Sequence, residues 1–216
     1  TTLAARLSGI GKLSHEDALR LGAVGPVSRA SNVDTDIRVI DKYAAYDEVP
    51  VTAITDDHCD VFGRAVVRVL EIMESIKMIR WSLDNLPDGE LTAKMPRRIP
   101  EGEVFSRTEA PRGEDTHYVR ANGTDKPDRV RVRAASEANW HSVKHMLEGD
   151  YLADVPIIIA AIDPCYSCTD RSIVLRSAAG ERVWDWEALR RYGIEHYKKQ
   201  GFDASKIKIA ERKIIR

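Results

Sequence analysis

Residues 56–86 read DDHCDVFGRAVVRVLEIMESIKMIRWSLDNL, and the fold turns on how this stretch is read. Apolar side chains recur at Phe62, Ala65, Val66, Val69, Met73, Ile76, Ile79 and Leu83. Steps of three and four residues line one side of an α-helix. Thr55, Asp56 and Asp57 offer an N-cap and acids for the positive end of the helix dipole. Asn85, Pro87 and Gly89 end the element. A helix over 56–86 runs about 45 Å, longer than a small domain is wide, and predicts a bundle whose other members share its apolar stripe. Few other segments are long enough to do so. The sequence also opens at Thr1 inside a polar stretch, with neither initiator Met nor signal peptide. Together these features predict a piece of a longer or processed protein.

Upstream, Ser14 and Asp17 mark the capped start of a short helix, His15 to Leu21, closed by Gly22. Residues 22–29 read as a loop with two glycines and a proline, followed by the Asp- and Asn-rich stretch 31–38. Downstream, 87–100 is a second loop. Three short strands follow at 103–108, 116–120 and 129–133, with Asn122-Gly123 as a turn. In the third, Val130 and Val132 alternate with Arg129, Arg131 and Arg133, which predicts one apolar and one basic face. Two helices are expected at 137–147 and 152–162; the second is apolar on nearly every side and is expected to be buried. A strand at 172–175 and a helix at 184–200 complete the reading. The class is α+β: mainly a helical bundle with a long core helix and a small antiparallel β section. Two segments are expected, 1–171 and a C-terminal extension at 172–216.

Composition sets limits. At 216 residues there is enough chain to bury a core. The longest apolar run, 155–162, is interrupted by Pro156 and far short of the roughly 20 residues of a membrane helix. A net charge of −1 gives no field for nucleic acid, and three cysteines exclude a disulfide scaffold. The charge is unevenly spread: residues 172–216 carry 11 basic and 6 acidic groups, a +5 tail on a −6 body.

Cys165 and Cys168 form the one Cys-x-x-Cys pair. On spacing alone the pair is half of a zinc site, a redox couple, half of a larger metal site, or two small packing residues. Cys59 and the histidines offer no matching knuckle for zinc, and a redox couple normally follows a strand, whereas this pair follows a helix.

The surroundings are more specific. Glu109-Ala-Pro-Arg112-Gly-Glu114, followed by Asp163-Pro-Cys-x-x-Cys-x-x-Arg171, resembles the C-terminal half of the large subunit of nickel–iron hydrogenases. The string DPCYSCTDR is similar to the formate-hydrogenlyase (group 4, membrane-associated) type, whose scaffold is shared by the quinone-site large subunit of respiratory complex I. The segment from Gly25-Pro-x-x-Arg29-Ala-Ser to Arg38, the segment Asp60-Val-Phe-x-Arg64-x-x-x-Arg68-x-x-Glu71, and the run from Arg131 through Ser136 to Asn139 resemble the same family in the same order.

The resemblance implies reversible H₂ oxidation and proton reduction at a nickel–iron centre whose iron carries CO and cyanide. Cys165 corresponds to a terminal nickel thiolate and Cys168 to the thiolate bridging both metals. Arg112 corresponds to a guanidinium beside the metals, Asp163 to the group that holds it, and Ser136 to a hydroxyl donor toward an iron ligand. Pro111 and Gly113 would shape the turn. Without the resemblance, Glu109 and Arg112 read as a surface ion pair.

The family's other Cys-x-x-Cys is missing, so this chain holds half the thiolates. Cys59 is placed on the first turn of the long helix as a packing residue. The family cleaves its C-terminal extension at the position of Arg171, so Arg171 and Ser172 form a candidate processing site. In the basic tail, Trp184, Trp186, Leu189 and Tyr192 offer an apolar stripe for docking. Implied partners are an N-terminal half carrying the other pair, an iron–sulfur small subunit, membrane subunits, and a maturation endopeptidase with chaperones, at the cytoplasmic face of a membrane or in the cytoplasm. Two alternatives stay open: a complex-I-like NADH/quinone oxidoreductase subunit without hydrogenase activity, and a catalytically silent precursor.

Overall fold

The structure, a computed structural model, describes residues 2–90, 92–165, 168–169, 173–177, 180–184, 186–199 and 201. It falls into two units, Thr1–Thr169 and Asp170–Arg216. In the first, short helices α1 (Thr2–Leu7), α2 (His15–Arg20), α3 (Pro26–Arg29) and α4 (Ile37–Ile40) precede the long helix α5 (Val61–Asp84). Strands β1 (Gly102–Ala110), β2 (Gly113–Ala121) and β3 (Arg129–Arg133) form an antiparallel sheet in that order. Helix α6 (Ala135–Leu147), a 3₁₀ turn at Leu152–Asp154 and α7 (Val155–Ala161) follow. The second unit contains the hairpin β4 (Ile173–Ser177) and β5 (Gly180–Trp184), then α8 (Trp186–Lys199). The α+β class, helical with one small antiparallel sheet, stands; β5 and α1 carried too little pattern to be expected. Among the described residues no helix is long and apolar enough to cross a membrane.

Several expectations are corrected. Helix α5 starts at Val61, five residues later than its acids indicate, because Cys59 takes a left-handed backbone conformation (φ 57°) and Asp60 is the N-cap, its carboxylate accepting from Gly63 N at 2.9 Å. Cys59 therefore lies in the loop before α5, with its N–H on the Ala30 carbonyl at 3.0 Å. Residues 22–29 are not all loop: Pro26 at the first position starts α3 after Gly25. The expected helix over 152–162 is a 3₁₀ turn followed by α7 and is only half covered, with Ile158 and Ile162 buried but Leu152 exposed, since only one side meets the core. Neither face of the sheet's distal part is covered, and Val104, Val130 and Val132 stand in solvent.

The largest correction concerns α5. Its buried positions are Val61, Gly63, Arg64, Val67 and Glu74, whereas Val69, Met73, Ile76, Ile79 and Leu83 are exposed. The helix turns its charged side toward its own chain. The apolar core gathers instead where the N-terminal end of α5 meets α2, α3, α6 and α7: Leu13, Val27, Val61, Val143, Met146, Ile158 and Ile162.

The polar side of α5 is organised by Arg29, which is 1% exposed. Its guanidinium lies 2.7 Å from Glu71 of α5 and 2.8 Å from Glu109 at the end of β1, and donates to the Thr35 carbonyl at 2.8 Å. Asp36 lies 3.7 Å away and is paired with Arg38 at 2.6 Å. Burial alone would lower the pKa of Arg29, but Glu109 and Glu71 outweigh it and the pKa lies above its ordinary value. Glu109 is thus partnered by Arg29, and the surface pair with Arg112 that the residues suggest without the resemblance does not form. Removing one member of such a buried network strands the others. Arg29→Met is expected to lower the unfolding free energy by roughly 3–5 kcal/mol, and Arg29→Met/Glu109→Gln to recover part of that loss. Urea denaturation of both variants against the parent checks this.

Candidate metal and catalytic site

The hairpin joining β1 and β2 turns through two residues, Pro111 and Arg112, closed by the pair Ala110 and Gly113. Proline presets the first turn position, and Gly113 takes φ 123°, which a side chain would resist. The tip rests on α3's N-cap. A Cβ on Gly25 would come within 2.2 Å of the Gly113 Cα, and one on Gly113 within 2.7 Å of the Gly25 N. Asn139, fully buried on α6, braces the same point: it accepts from Val24 N at 3.0 Å and donates to the Val24 carbonyl at 3.2 Å and the Arg112 carbonyl at 3.5 Å.

So braced, Arg112 reaches the residue that ends α7. Its Nε donates to the Asp163 carbonyl at 2.6 Å and its Nη2 to Asp163 Oδ1 at 3.0 Å. Asp163 presents carbonyl and carboxylate together because it sits at φ 54°, its N–H donating to the Ala160 carbonyl at 2.9 Å. Aspartate is one of the few side-chain-bearing residues that adopt this conformation readily. Arg68 supports the same turn from α5, donating to the Ala161 carbonyl at 3.3 Å and standing 3.7 Å from Asp163 Oδ2. Burial lowers the pKa of Arg68 from its usual value, partly opposed by Asp163.

Two residues on, Cys165 N donates to Ser136 Oγ at 2.9 Å; Ser136 is buried on the first turn of α6. The Cys165 carbonyl accepts from Cys168 N at 3.0 Å and from Thr169 Oγ1 at 2.8 Å, and Trp140 Nε1 donates to that hydroxyl at 3.2 Å. The turn brings the two sulfurs to 2.7 Å. That is well beyond a disulfide bond of about 2.05 Å, and neither cysteine is in a disulfide. Cys165 is half-buried and Cys168 exposed. A pair of converging thiols is a donor set of the kind soft metal ions take.

Of the expected site residues, the fold thus brings Arg112, Asp163, Cys165, Cys168 and Ser136 together. Pro111 forms the turn and lines a cleft of about 380 Å³ with Asp163, Arg68 and Glu71. Arg171 and Ser172 lie outside the described residues, as do the side chains of Trp184, Trp186 and Leu189; Tyr192 is exposed on α8. Sequence reasoning gave no role to Arg68, Asn139, Trp140 or Thr169. Arg68, Asn139 and Thr169 stood in quoted motifs, but Trp140 had no signal.

Comparison with known proteins identifies the scaffold. The family model of the respiratory-chain NADH dehydrogenase, 49 Kd subunit, matches residues 1–99 and 92–171. The chain belongs to this family. It is 42% identical over 166 residues to the carbon monoxide-induced hydrogenase of Rhodospirillum rubrum, covering 77% of this chain and 46% of the relative. It is 39% identical over 191 residues to formate hydrogenlyase subunit 5 of Escherichia coli, covering 88% and 34%. A component of the NADH-quinone oxidoreductase of Dehalococcoides mccartyi is 39% identical over 168 residues, covering 77% and 46%. Among solved structures, the membrane-bound sulfane sulfur reductase, an archaeal respiratory membrane complex, contains a similar chain with a TM-score of 0.73 at 33% identity, covering 79% of this chain and 48% of that one. This 49 Kd family chain therefore spans less than half the length of these relatives, and its resemblance to the formate-hydrogenlyase type stands.

The close approach of Gly25 and Gly113 is testable. Gly22 also has positive φ (67°), but a Cβ there meets nothing within 4 Å. Gly22→Ala is expected to cost about 1–2 kcal/mol from backbone conformation alone. Gly25→Ala, which must also push the hairpin away, is expected to cost about 1–3 kcal/mol more, measured by urea denaturation of the two variants.

Proposed function

We propose that this chain is the C-terminal half of the large subunit of a nickel–iron hydrogenase of the membrane-associated, formate-hydrogenlyase type, working in reversible H₂ oxidation and proton reduction. The observation that supports the reading is the convergence of Cys165 and Cys168 two residues after Asp163, the residue that fixes the Arg112 side chain. The proposed partners are a polypeptide segment with a second Cys-x-x-Cys, an iron–sulfur small subunit that takes the electrons, membrane subunits at the cytoplasmic face of a membrane, and maturation factors. Membership of membrane complexes by the relatives supports the membrane subunits.

When bound, a nickel–iron centre with CO and cyanide on iron supplies the redox and hydrogen-splitting chemistry. Cys165 and Cys168 would provide two of its thiolates. Soft sulfur donors suit a metal that changes oxidation state, and the Ser136 hydroxyl fixes the backbone from which Cys165 projects. The proton would pass to the half-buried Cys165 sulfur or to Arg112. Arg112 is a planar, always-charged donor, and Asp163 sets its plane through two hydrogen bonds. The second reading, a complex-I-like NADH/quinone oxidoreductase subunit, is favoured by the family model and by the NADH-quinone oxidoreductase relative. The thiol pair speaks for the hydrogenase reading, because the usual quinone-site chain lacks it.

Metal analysis of the purified complex tests the choice. Cys165→Ser and Cys168→Ser are each expected to abolish nickel retention. Arg112→Lys is expected to keep nickel and lose about 10²-fold or more in turnover, as losing one oriented donor does elsewhere. Nickel at wild-type levels in both serine variants, or none in the intact parent complex, would turn the assignment toward the quinone-type reading.

We also propose that residues 172–216 are a maturation extension removed between Arg171 and Ser172 once nickel is loaded. The tail's +5 charge against the −6 body supports an electrostatically held segment. Intact-mass measurement of the subunit from active complex is expected to show a C-terminus at Arg171. A mass that retains 172–216 makes the tail a permanent element.

A further inference from the structure

Helix α6 holds both arms of the candidate site from one face. Ser136, Asn139 and Trp140 stand three and four residues apart, the spacing of neighbours on a helix surface. Ser136 Oγ accepts from Cys165 N at 2.9 Å, and Asn139 Nδ2 donates to the Arg112 carbonyl at 3.5 Å. Trp140 reaches the cysteine turn through a second side chain. Its Nε1 donates to Thr169 Oγ1 at 3.2 Å, and that hydroxyl donates to the Cys165 carbonyl at 2.8 Å. The direction of this relay is forced. An indole N–H can only donate, so the Thr169 oxygen accepts from it and has its single proton left for the carbonyl. The Cys165 carbonyl then has both lone pairs in use, the second by Cys168 N at 3.0 Å.

These contacts close a ring around the cysteine pair. Cys165 is tied to α6 at its N–H by Ser136 and at its carbonyl by Trp140 through Thr169, so both of its backbone groups answer to one rigid helix. Cys168 lies between two anchored residues, Cys165 and Thr169. Trp140 is half-buried and packs against the apolar core, which fixes the direction of its N–H. Cys168 is exposed, so burial does not account for its sulfur standing 2.7 Å from that of Cys165. The anchored backbone on either side does.

We propose that Trp140 is a positioning residue for the thiol pair: acting through the Thr169 hydroxyl, it holds the turn in which the two sulfurs converge. The inference goes beyond the hydrogenase reading and concerns only the geometry of the two thiols.

The test reads the thiols directly, in the complex purified under reduction from cells starved of nickel. Iodoacetamide is applied under native conditions, and the alkylation rate of each cysteine is followed by peptide mass spectrometry. Trp140→Phe deletes the donor, Thr169→Val keeps the shape and deletes the hydroxyl, and Thr169→Ser keeps the hydroxyl. Replacing Trp140 by 3-benzothienylalanine, which has the shape of tryptophan and no N–H, covers a failure of Trp140→Phe to assemble. Alkylation of Cys165 is expected to quicken about two- to tenfold when either Trp140 or the Thr169 hydroxyl is lost, the size of one hydrogen bond in a local opening. The double variant is expected to gain nothing further, because both groups act in one relay, and Thr169→Ser to stay near the parent. Cys59, half-buried in the same unit, is expected to keep its parent rate. A parent-like Cys165 rate in the Trp140 variants overturns the proposal. An equal rise at Cys59 also overturns it and makes Trp140 a packing residue, and additive effects in the double variant break the relay. Nickel content of complexes from nickel-replete cells reports separately: a parent complex without nickel removes the hydrogenase reading and leaves the alkylation result standing.

Discussion

A single buried guanidinium ties the first unit together. Arg29 ends α3, contacts Glu71 in the middle of α5 and Glu109 at the end of β1, and donates to the Thr35 carbonyl in the loop between α3 and α4. Four pieces of chain far apart in sequence thus share one charge. A buried guanidinium is costly to desolvate and tolerable only when its donors are met; five donors in a rigid plane allow one residue to hold several partners at fixed angles. The position of the hairpin follows from it. Glu109 is two residues before Pro111, so fixing that carboxylate fixes the strand end from which Arg112 projects.

Arg64 makes the contrast. One turn before Arg68, it is also fully buried, yet only its Nη2 finds an acceptor, the Gly11 carbonyl, while Nε and Nη1 meet none among the described residues. Burial lowers its pKa to about 10. Arg29 is compensated within the chain, and Arg64 only in part. Arg64 and Glu71, the partner of Arg29, lie on the side of α5 that faces inward, which explains why that side, and not the apolar one, is buried here. The apolar side of α5 is left exposed in this chain.

The candidate site residues occupy the ends of regular elements: Arg112 at a hairpin tip, Asp163 and Cys165 just past α7, Ser136 on the first turn of α6. Each end is held by a local device. Proline and a positive-φ glycine set the hairpin, a left-handed aspartate stops α7, and the Cys165 carbonyl gathers the N–H of Cys168 and the hydroxyl of Thr169. Rigid elements meeting at such ends position side chains more tightly than a free loop does.

What the sequence by itself determined is what depends on near neighbours along the chain. The helical period of α5, the caps at Ser14, the alternation in β3 and the Cys-x-x-Cys turn involve residues two to four apart, and all were legible. The resemblance carried by Glu109–Glu114 and Asp163–Arg171 also named Arg112 and Asp163 before any geometry was known. The start of α5 was misplaced because Thr55, Asp56 and Asp57 outbid Asp60 as a cap, and nothing local shows that Cys59 turns left-handed. Only the tertiary structure decided that Glu109 pairs with Arg29, 80 residues away, while Glu71 reaches it from 42. It alone showed that Gly25 meets Gly113, and that the apolar side of α5 faces outward. Such contacts leave no period in a sequence: which surfaces meet is set by packing and charge compensation across the whole chain.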